Sequence, residues 1–220
     1  MSAIADNLNS IRARIPADVK LIAVSKLQPN LSITEAYNAG QRYFGENYVQ
    51  EFIDKKDLLP SDIEWHFIGH LQSNKIKFIA PFVHYVHGVD RASLLFKLDE
   101  AAGKSNRTIQ CLLQLHVAEE ETKHGLSESE ALEIANDTSI AELKNVKICG
   151  VMAMATFTDN RDQIRKEFVQ VKKTFDTLKV LFGESFREIS MGMSSDWDIA
   201  IEEGSTMIRV GSAIFGERKK

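Results

Sequence analysis

Long apolar runs are missing from this chain. No stretch reaches the ~18 uncharged apolar residues that would span a bilayer. Like-charge blocks are missing too, and the formal net charge is only -4, so no basic field draws the protein to nucleic acid. Cysteine is nearly absent: Cys111 and Cys149 each sit in an apolar run and read as reduced, buried thiols rather than a disulfide. The opening Met1-Ser2-Ala3-Ile4-Ala5-Asp6 lacks the basic segment and apolar run of a signal peptide. These absences together predict a cytoplasmic protein with no membrane or nucleic-acid partner. Proline is scarce, and no Pro-rich linker, low-complexity segment or internal repeat argues for a second domain, so residues 1–220 are expected to form one domain. The closing Glu217-Arg218-Lys219-Lys220 reads as a solvated tail.

What is present alternates. Strand-like runs recur at 20–24, 42–44, 65–68, 83–89, 108–117, 146–152, 186–191 and 206–210. Helical stripes lie between them. Ile164, Phe168, Val171, Phe175 and Leu178 step by four and three, and Gly183 stops the pattern. Leu94, Leu95, Leu98, Ala101 and Ala102 repeat it, ending at Gly103. Ser127 and Glu130 form a capping box before Ala131. About eight strand–helix steps at this length predict an α/β fold, a single (β/α)8 TIM-type barrel, over the rival open doubly wound sheet. Little chain follows the last strand, so an extra N-terminal helix, about Ser2 to Arg14, is expected to cover the place of an eighth helix.

In a barrel, chemistry gathers at the C-terminal ends of the strands. Ser190-Met191-Gly192-Met193-Ser194-Ser195 and Arg209-Val210-Gly211-Ser212 follow the seventh and eighth strands, where barrels often hold phosphate. Glycine admits close backbone approach, and serine adds a hydroxyl. A helix from Ser195 to Glu203 would also aim free N–H groups at an anion. Helix capping and turn formation explain the same residues equally well. Asp196 and Asp198, in that helix's first turn, would repel a phosphate unless they face away.

Lys26 lies just past Leu21-Ile22-Ala23-Val24. It is either a solvated lysine at a strand end or an amine that can form a Schiff base when its pKa falls. Arg209 sits within an apolar strand, with Met207 and Gly211 on its face. It needs a ligand or a buried carboxylate. Asn47 could offer a neutral hydrogen bond to a ring substituent. His66 and His70 do not read as metal ligands, because no third ligand lies at suitable spacing. His84 and His87 fall on opposite faces of their strand, and no metal is expected.

Ala23-Val24-Ser25-Lys26, Phe44-Gly45-Glu46-Asn47-Tyr48, His66 through Lys75, Ser190 through Ser194 and Gly204 through Gly216 resemble the pyridoxal phosphate homeostasis protein family nearly end to end. The resemblance implies one barrel similar to the alanine racemase N-terminal domain, with pyridoxal 5'-phosphate (PLP) as cofactor. It implies Lys26 as the Schiff-base lysine, phosphate contacts from Ser194, Gly211 and Ser212, Arg209 beside the pyridine nitrogen, and Asn47 near the ring. Ser212 stands where many relatives have Thr, and keeps the hydroxyl. His70 stands where many have Pro.

Three functions are consistent with this reading. The preferred one is a PLP carrier in vitamin B6 balance and the linked amino-acid and keto-acid pools, without robust catalysis and with PLP-dependent enzymes as recipients. Arg209 favours it, because arginine cannot accept the proton that a strong electron sink needs on the ring nitrogen. An amino-acid racemase would need a second base. In alanine racemase that base is a tyrosine from a further C-terminal domain, whereas Tyr37, Tyr43, Tyr48 and Tyr85 are what this chain offers. A Schiff-base aldolase acting on a sugar phosphate would use the same lysine and cradle without PLP.

Overall fold

Alternation buries these strands on both faces, as a parallel sheet wrapped by helices requires. The computed structural model describes residues 2–120 and 124–216, so the tail reading at 217–220 lies outside the described residues. The strands are β1 (Lys20–Val24), β2 (Tyr43–Glu46), β3 (Glu64–Phe67), β4 (Tyr85–Val89), β5 (Ile109–Leu115), β6 (Val146–Ala153), β7 (Glu188–Ser190) and β8 (Met207–Val210). Each pairs in parallel with the next, and β8 returns to β1 with Ile22 opposite Arg209 and Ala23 opposite Val210. The sheet is therefore a closed eight-stranded barrel rather than an open sheet.

Outward residues such as Leu21, Phe44, Trp65, Val86, Ile208 and Val210 form the main core beneath the helices. Inward, Tyr85, Leu112, Cys149, Met152 and Met207 make a smaller apolar cluster. The interior is otherwise unusually polar: His66, His87, Ser190 and Arg209 are buried there. That departs from the branched apolar filling typical of such barrels.

The covering helices are α1 (Ala3–Arg12), α2 (Asn30–Asn38), α3 (Val49–Lys56), α4 (Ile76–Ile79), α5 (Ala92–Lys104), α6 (Glu128–Asn136), α7 (Thr138–Ala141), α8 (Arg161–Phe182), α9 (Trp197–Glu202) and α10 (Ser212–Phe215). In α8 the expected stripe of Ile164, Phe168, Val171, Phe175 and Leu178 is buried. Each such side chain contributes roughly 1.5–3 kcal/mol. The helix ends at Gly183 with φ 78°, a backbone state that glycine alone takes freely. Ser127 and Glu130 make the capping box at the start of α6. Among the described residues, β8 is followed by the four-residue α10, and α1 packs beside it, with Asn7 Nδ2 donating to the Ile214 carbonyl at 3.0 Å.

Candidate functional site

The segment that carries Lys26 is held on both sides. The Ser25 amide donates to the Gly45 carbonyl, and Ser25 Oγ donates to Glu46 Oε1 at 2.5 Å. The Leu27 amide donates to Glu51 Oε1 at 2.5 Å. Leu27 has φ 62°, a costly state for a leucine that these bonds hold in place. Lys55 lies underneath, buried, and donates to the Ser25 carbonyl at 2.8 Å, to Glu46 Oε1 at 2.9 Å and to Glu51 Oε1 at 2.5 Å. Its three protons are thereby committed. Burial pushes the Glu46 carboxyl up, and the Lys55 ammonium opposes the shift. Lys26 is half-buried, in the turn where β1 leaves the barrel.

The loops after β7 and β8 meet. The Gly211 amide donates to Ser194 Oγ at 3.3 Å, and the Arg209 amide donates to the Gly192 carbonyl at 2.9 Å. Gly192 has φ 92°, and a Cβ there would come within 2.6 Å of Ala200 Cβ, so the position needs glycine. Gly211 lies against β1: a Cβ on it would be 3.4 Å from Val24 Cβ. Ser194, Gly211 and Ser212 are thus brought beside the strand end that leads into Lys26.

One part of the sequence reading is corrected. The helix begins at Trp197, not Ser195, and Asp196 is buried at its start. Asp196 Oδ1 accepts from the Met193 amide at 2.5 Å. That bond turns the carboxylate back toward the β7 loop, and no side chain caps the first turn of α9. The loops themselves offer hydroxyl and amide donors. Asp198 faces away and binds Arg161 Nη2 at 2.7 Å.

Arg209 also differs from one of its two sequence readings, since no ion pair to it is found among the described residues. Nη1 donates to the Ser190 carbonyl at 2.7 Å and to Ser190 Oγ at 2.6 Å, and Nη2 donates to the Ala153 carbonyl at 2.9 Å. Ala153 and Ser190 end β6 and β7, so the guanidinium lies at the floor of the barrel mouth. Burial lowers Arg209 to about 10, with Asp196 opposing, and the group stays charged at neutral pH.

A hydrogen-bond chain runs inward from this arginine. Ser190 Oγ, which accepts from Arg209, lies 3.0 Å from His87 Nδ1. His87 Nε2 in turn lies 2.8 Å from His66 Nδ1. The direction of each bond follows the ring tautomers. His66 Nε2 is buried and has no partner among the described residues. Burial, with Lys20 adding, holds His66 down at about 3. Burial, with His66 and Arg209 adding, holds His87 well below the usual imidazole value. Both rings are neutral at pH 7. Sequence spacing separated His84 from His87 correctly, but nothing local signalled that His87 meets His66 across two strands.

Asn47 follows β2, and its side-chain oxygen is buried with no partner among the described residues. In either amide flip it can make one more hydrogen bond. Of the tyrosines, Tyr43 and Tyr85 begin β2 and β4, at the end of the barrel away from the mouth. Tyr37 Oη donates to Asp62. Tyr48 alone follows a C-terminal strand end, and it is exposed. His70 lies after β3, apart from the inward-facing His66, and is discussed below.

Comparisons with known proteins fit this geometry. The family described as "Alanine racemase, N-terminal domain" matches residues 1–219. A pyridoxal phosphate homeostasis protein of Aquifex aeolicus is 39% identical over 91% of this chain and 87% of its own length. Its namesake in Escherichia coli K12 is 37% identical over 99% of this chain and 98% of its own. Among solved structures, PipY of Synechococcus elongatus PCC7942 with PLP bound superposes with TM-score 0.90 at 38% identity, covering 97% of this chain and all of PipY. The alanine racemase of Bartonella henselae shares the fold at TM-score 0.73 and 16% identity, over 99% of this chain and 61% of its own.

Proposed function

The chain belongs to the pyridoxal phosphate homeostasis protein family, built on the alanine racemase N-terminal domain, and from that membership we propose that it binds PLP at the barrel mouth. Lys26 holds the cofactor's aldehyde covalently. Ser194, Gly211 and Ser212 take the phosphate, Arg209 faces the ring nitrogen, and Asn47 bonds a ring substituent. Residues 1–220 act as one PLP-binding unit in the cytoplasm, where two buried thiols stay reduced.

One observation carries the reading. Gly211 lies beside Val24 and bonds Ser194, and β8 pairs with β1, so the loops of β7 and β8 adjoin the strand that delivers Lys26. The residues suit the group in two further ways. Asn47 keeps an unused buried hydrogen-bonding atom at the mouth. Lys55, the other lysine beside this strand end, has its protons committed to three acceptors, which makes it a poor candidate for the reactive role.

Bound PLP supplies an electrophilic aldehyde and a ring able to delocalise charge. The protein's own residues limit that delocalisation. Arg209 already carries its full set of protons and is fixed to two carbonyls and a hydroxyl. It offers the ring nitrogen a donor and no base, so the nitrogen stays unprotonated. Tyr37, Tyr43 and Tyr85 lie away from the mouth, and Tyr48, after β2, is exposed. These features support a carrier in intracellular PLP balance, able to pass cofactor to PLP-dependent enzymes, over a racemase.

The test is reconstitution. Purified protein given PLP should gain a visible absorption band that borohydride removes. Protein that stays colourless at saturating PLP overturns the reading and favours an aldolase using Lys26 without cofactor.

A further inference from the structure

Three side chains of metal-ligand type converge on the rim of the mouth, on the β3–β5 side. His70 follows β3, Asp90 follows β4, and His124 lies in the connection from β5 to α6. One ligating atom from each lies within 4.8 Å of the other two. His70 Nδ1 is 3.2 Å from Asp90 Oδ2, and the His70 and His124 rings face each other with centroids 4.2 Å apart. From this convergence we propose that His70, Asp90 and His124 form a site for a divalent transition-metal ion of the zinc class.

The donor set argues for that class. Two imidazole nitrogens and one carboxylate oxygen suit zinc and its neighbours, whereas magnesium and calcium prefer all-oxygen shells. Three protein ligands with positions left for water match an open site rather than a closed structural one. Zinc–nitrogen bonds of about 2.0–2.1 Å place tetrahedral ligand atoms roughly 3.3 Å apart. The His70–Asp90 pair already has that spacing. The remaining separations close by at most about 1.5 Å, which rotation of two exposed imidazoles supplies.

The supporting backbone is pinned, so the convergence is built into the fold. Gly69 passes so close to β2 that a Cβ on it would lie 2.5 Å from the Asn47 carbonyl oxygen. Gly88 packs equally closely on the Gly69 carbonyl, at 2.7 Å for a Cβ. These contacts fix His70 relative to β4, which Asp90 follows directly. His124 is strapped to β5, where Gln114 Nε2 donates to its carbonyl at 2.6 Å and the Leu126 amide donates to the Gln114 carbonyl at 2.7 Å. Arg91 pairs with Asp90 Oδ1 and leaves Oδ2 turned to His70. Such an outer partner orients a ligating carboxylate. Its positive charge also works against the ion, so binding should be weaker than at an all-ligand cage.

Calorimetric titration of zinc chloride into untagged protein, with and without PLP, tests this. One ion per chain is expected. His70→Ala, Asp90→Asn and His124→Ala should each weaken binding at least tenfold, while His116→Ala, in the same loop, should not. Cobalt substituted for zinc should give the visible absorption of a low-coordinate site, and that signal should vanish in the His70→Ala/His124→Ala double variant. Absence of stoichiometric binding, or binding that survives in the double variant, overturns the proposal. The three side chains are exposed or half-buried, so unchanged circular dichroism will certify the fold of each variant.

Discussion

The two flanks of the barrel mouth are built by opposite means. On the β7–β8–β1 flank, small residues and main-chain amides line the mouth, and space is tight enough that Gly192 has no room for a methyl group. On the β3–β4–β5 flank, imidazoles and a carboxylate project from pinned turns and stay exposed or half-buried. The first flank suits an anion, because amides and hydroxyls donate. The second suits a cation, because neutral imidazole and carboxylate offer lone pairs. Between them runs the buried chain Arg209–Ser190–His87–His66, which crosses the barrel from β8 to β3.

The difference bears on stability first. Gly192→Ala should destabilise the protein by about 2–4 kcal/mol, from a left-handed backbone strain of roughly 1–2 and overpacking against Ala200. Urea unfolding measures it. An effect under about 0.5 kcal/mol would mean that the anion flank is not tightly packed. Exposed His70→Ala should lie within about 0.5 kcal/mol of the parent in the same assay.

The buried imidazoles give the next effect. Their folded pKa values lie below the ordinary 6.5, so the folded state refuses protons that the unfolded chain accepts. Their contribution is intact above pH 6.5 and is lost as pH falls toward about 3, the folded value of His66. For two imidazoles the slope approaches about 2.7 kcal/mol per pH unit. His66→Gln should remove roughly half of the difference in stability between pH 6.5 and 5. An unchanged slope would show that His66 is not held neutral.

Chemistry at the floor comes third. Arg209→Glu supplies an acceptor where the parent has a donor, so PLP-loaded variant should exchange the α-proton of bound amino acids with solvent deuterium faster than the parent. Equal rates would count against Arg209 facing the ring nitrogen. The smallest effect belongs to Ser194→Ala, which removes one of the proposed phosphate donors. PLP affinity should fall roughly three- to tenfold, in line with about 0.5–1.5 kcal/mol for one hydrogen bond. Zinc titration should be unmoved by Ser194→Ala, and a change there would show that the flanks are not separate.

What was legible in the sequence follows the same division. The eight strands and the α8 stripe were readable because alternation and 3.6-residue periodicity are local signals. The placement of Gly192, Ser194, Gly211 and Ser212 in the loops after β7 and β8 was readable too, since they lie in two contiguous segments. The helix after β7 was placed two residues early, because residues 193–196 close a local turn ahead of Trp197 that propensity does not report. The cation flank was hidden. His70 was weighed against ligands along the chain, whereas its neighbours come from β4 and the β5–α6 connection. The Glu46–Lys55–Glu51 support under Lys26 and the His66–His87 bond are likewise assembled across elements, and only the closed barrel brings them together.

Mapping the modified lysine tests the central claim most directly. Protein loaded with PLP, reduced with borohydride and digested should show the pyridoxyl mass on the peptide containing Lys26, and Lys26→Ala should show none. A pyridoxyl group on Lys55 or on another lysine of the loaded parent would contradict the account.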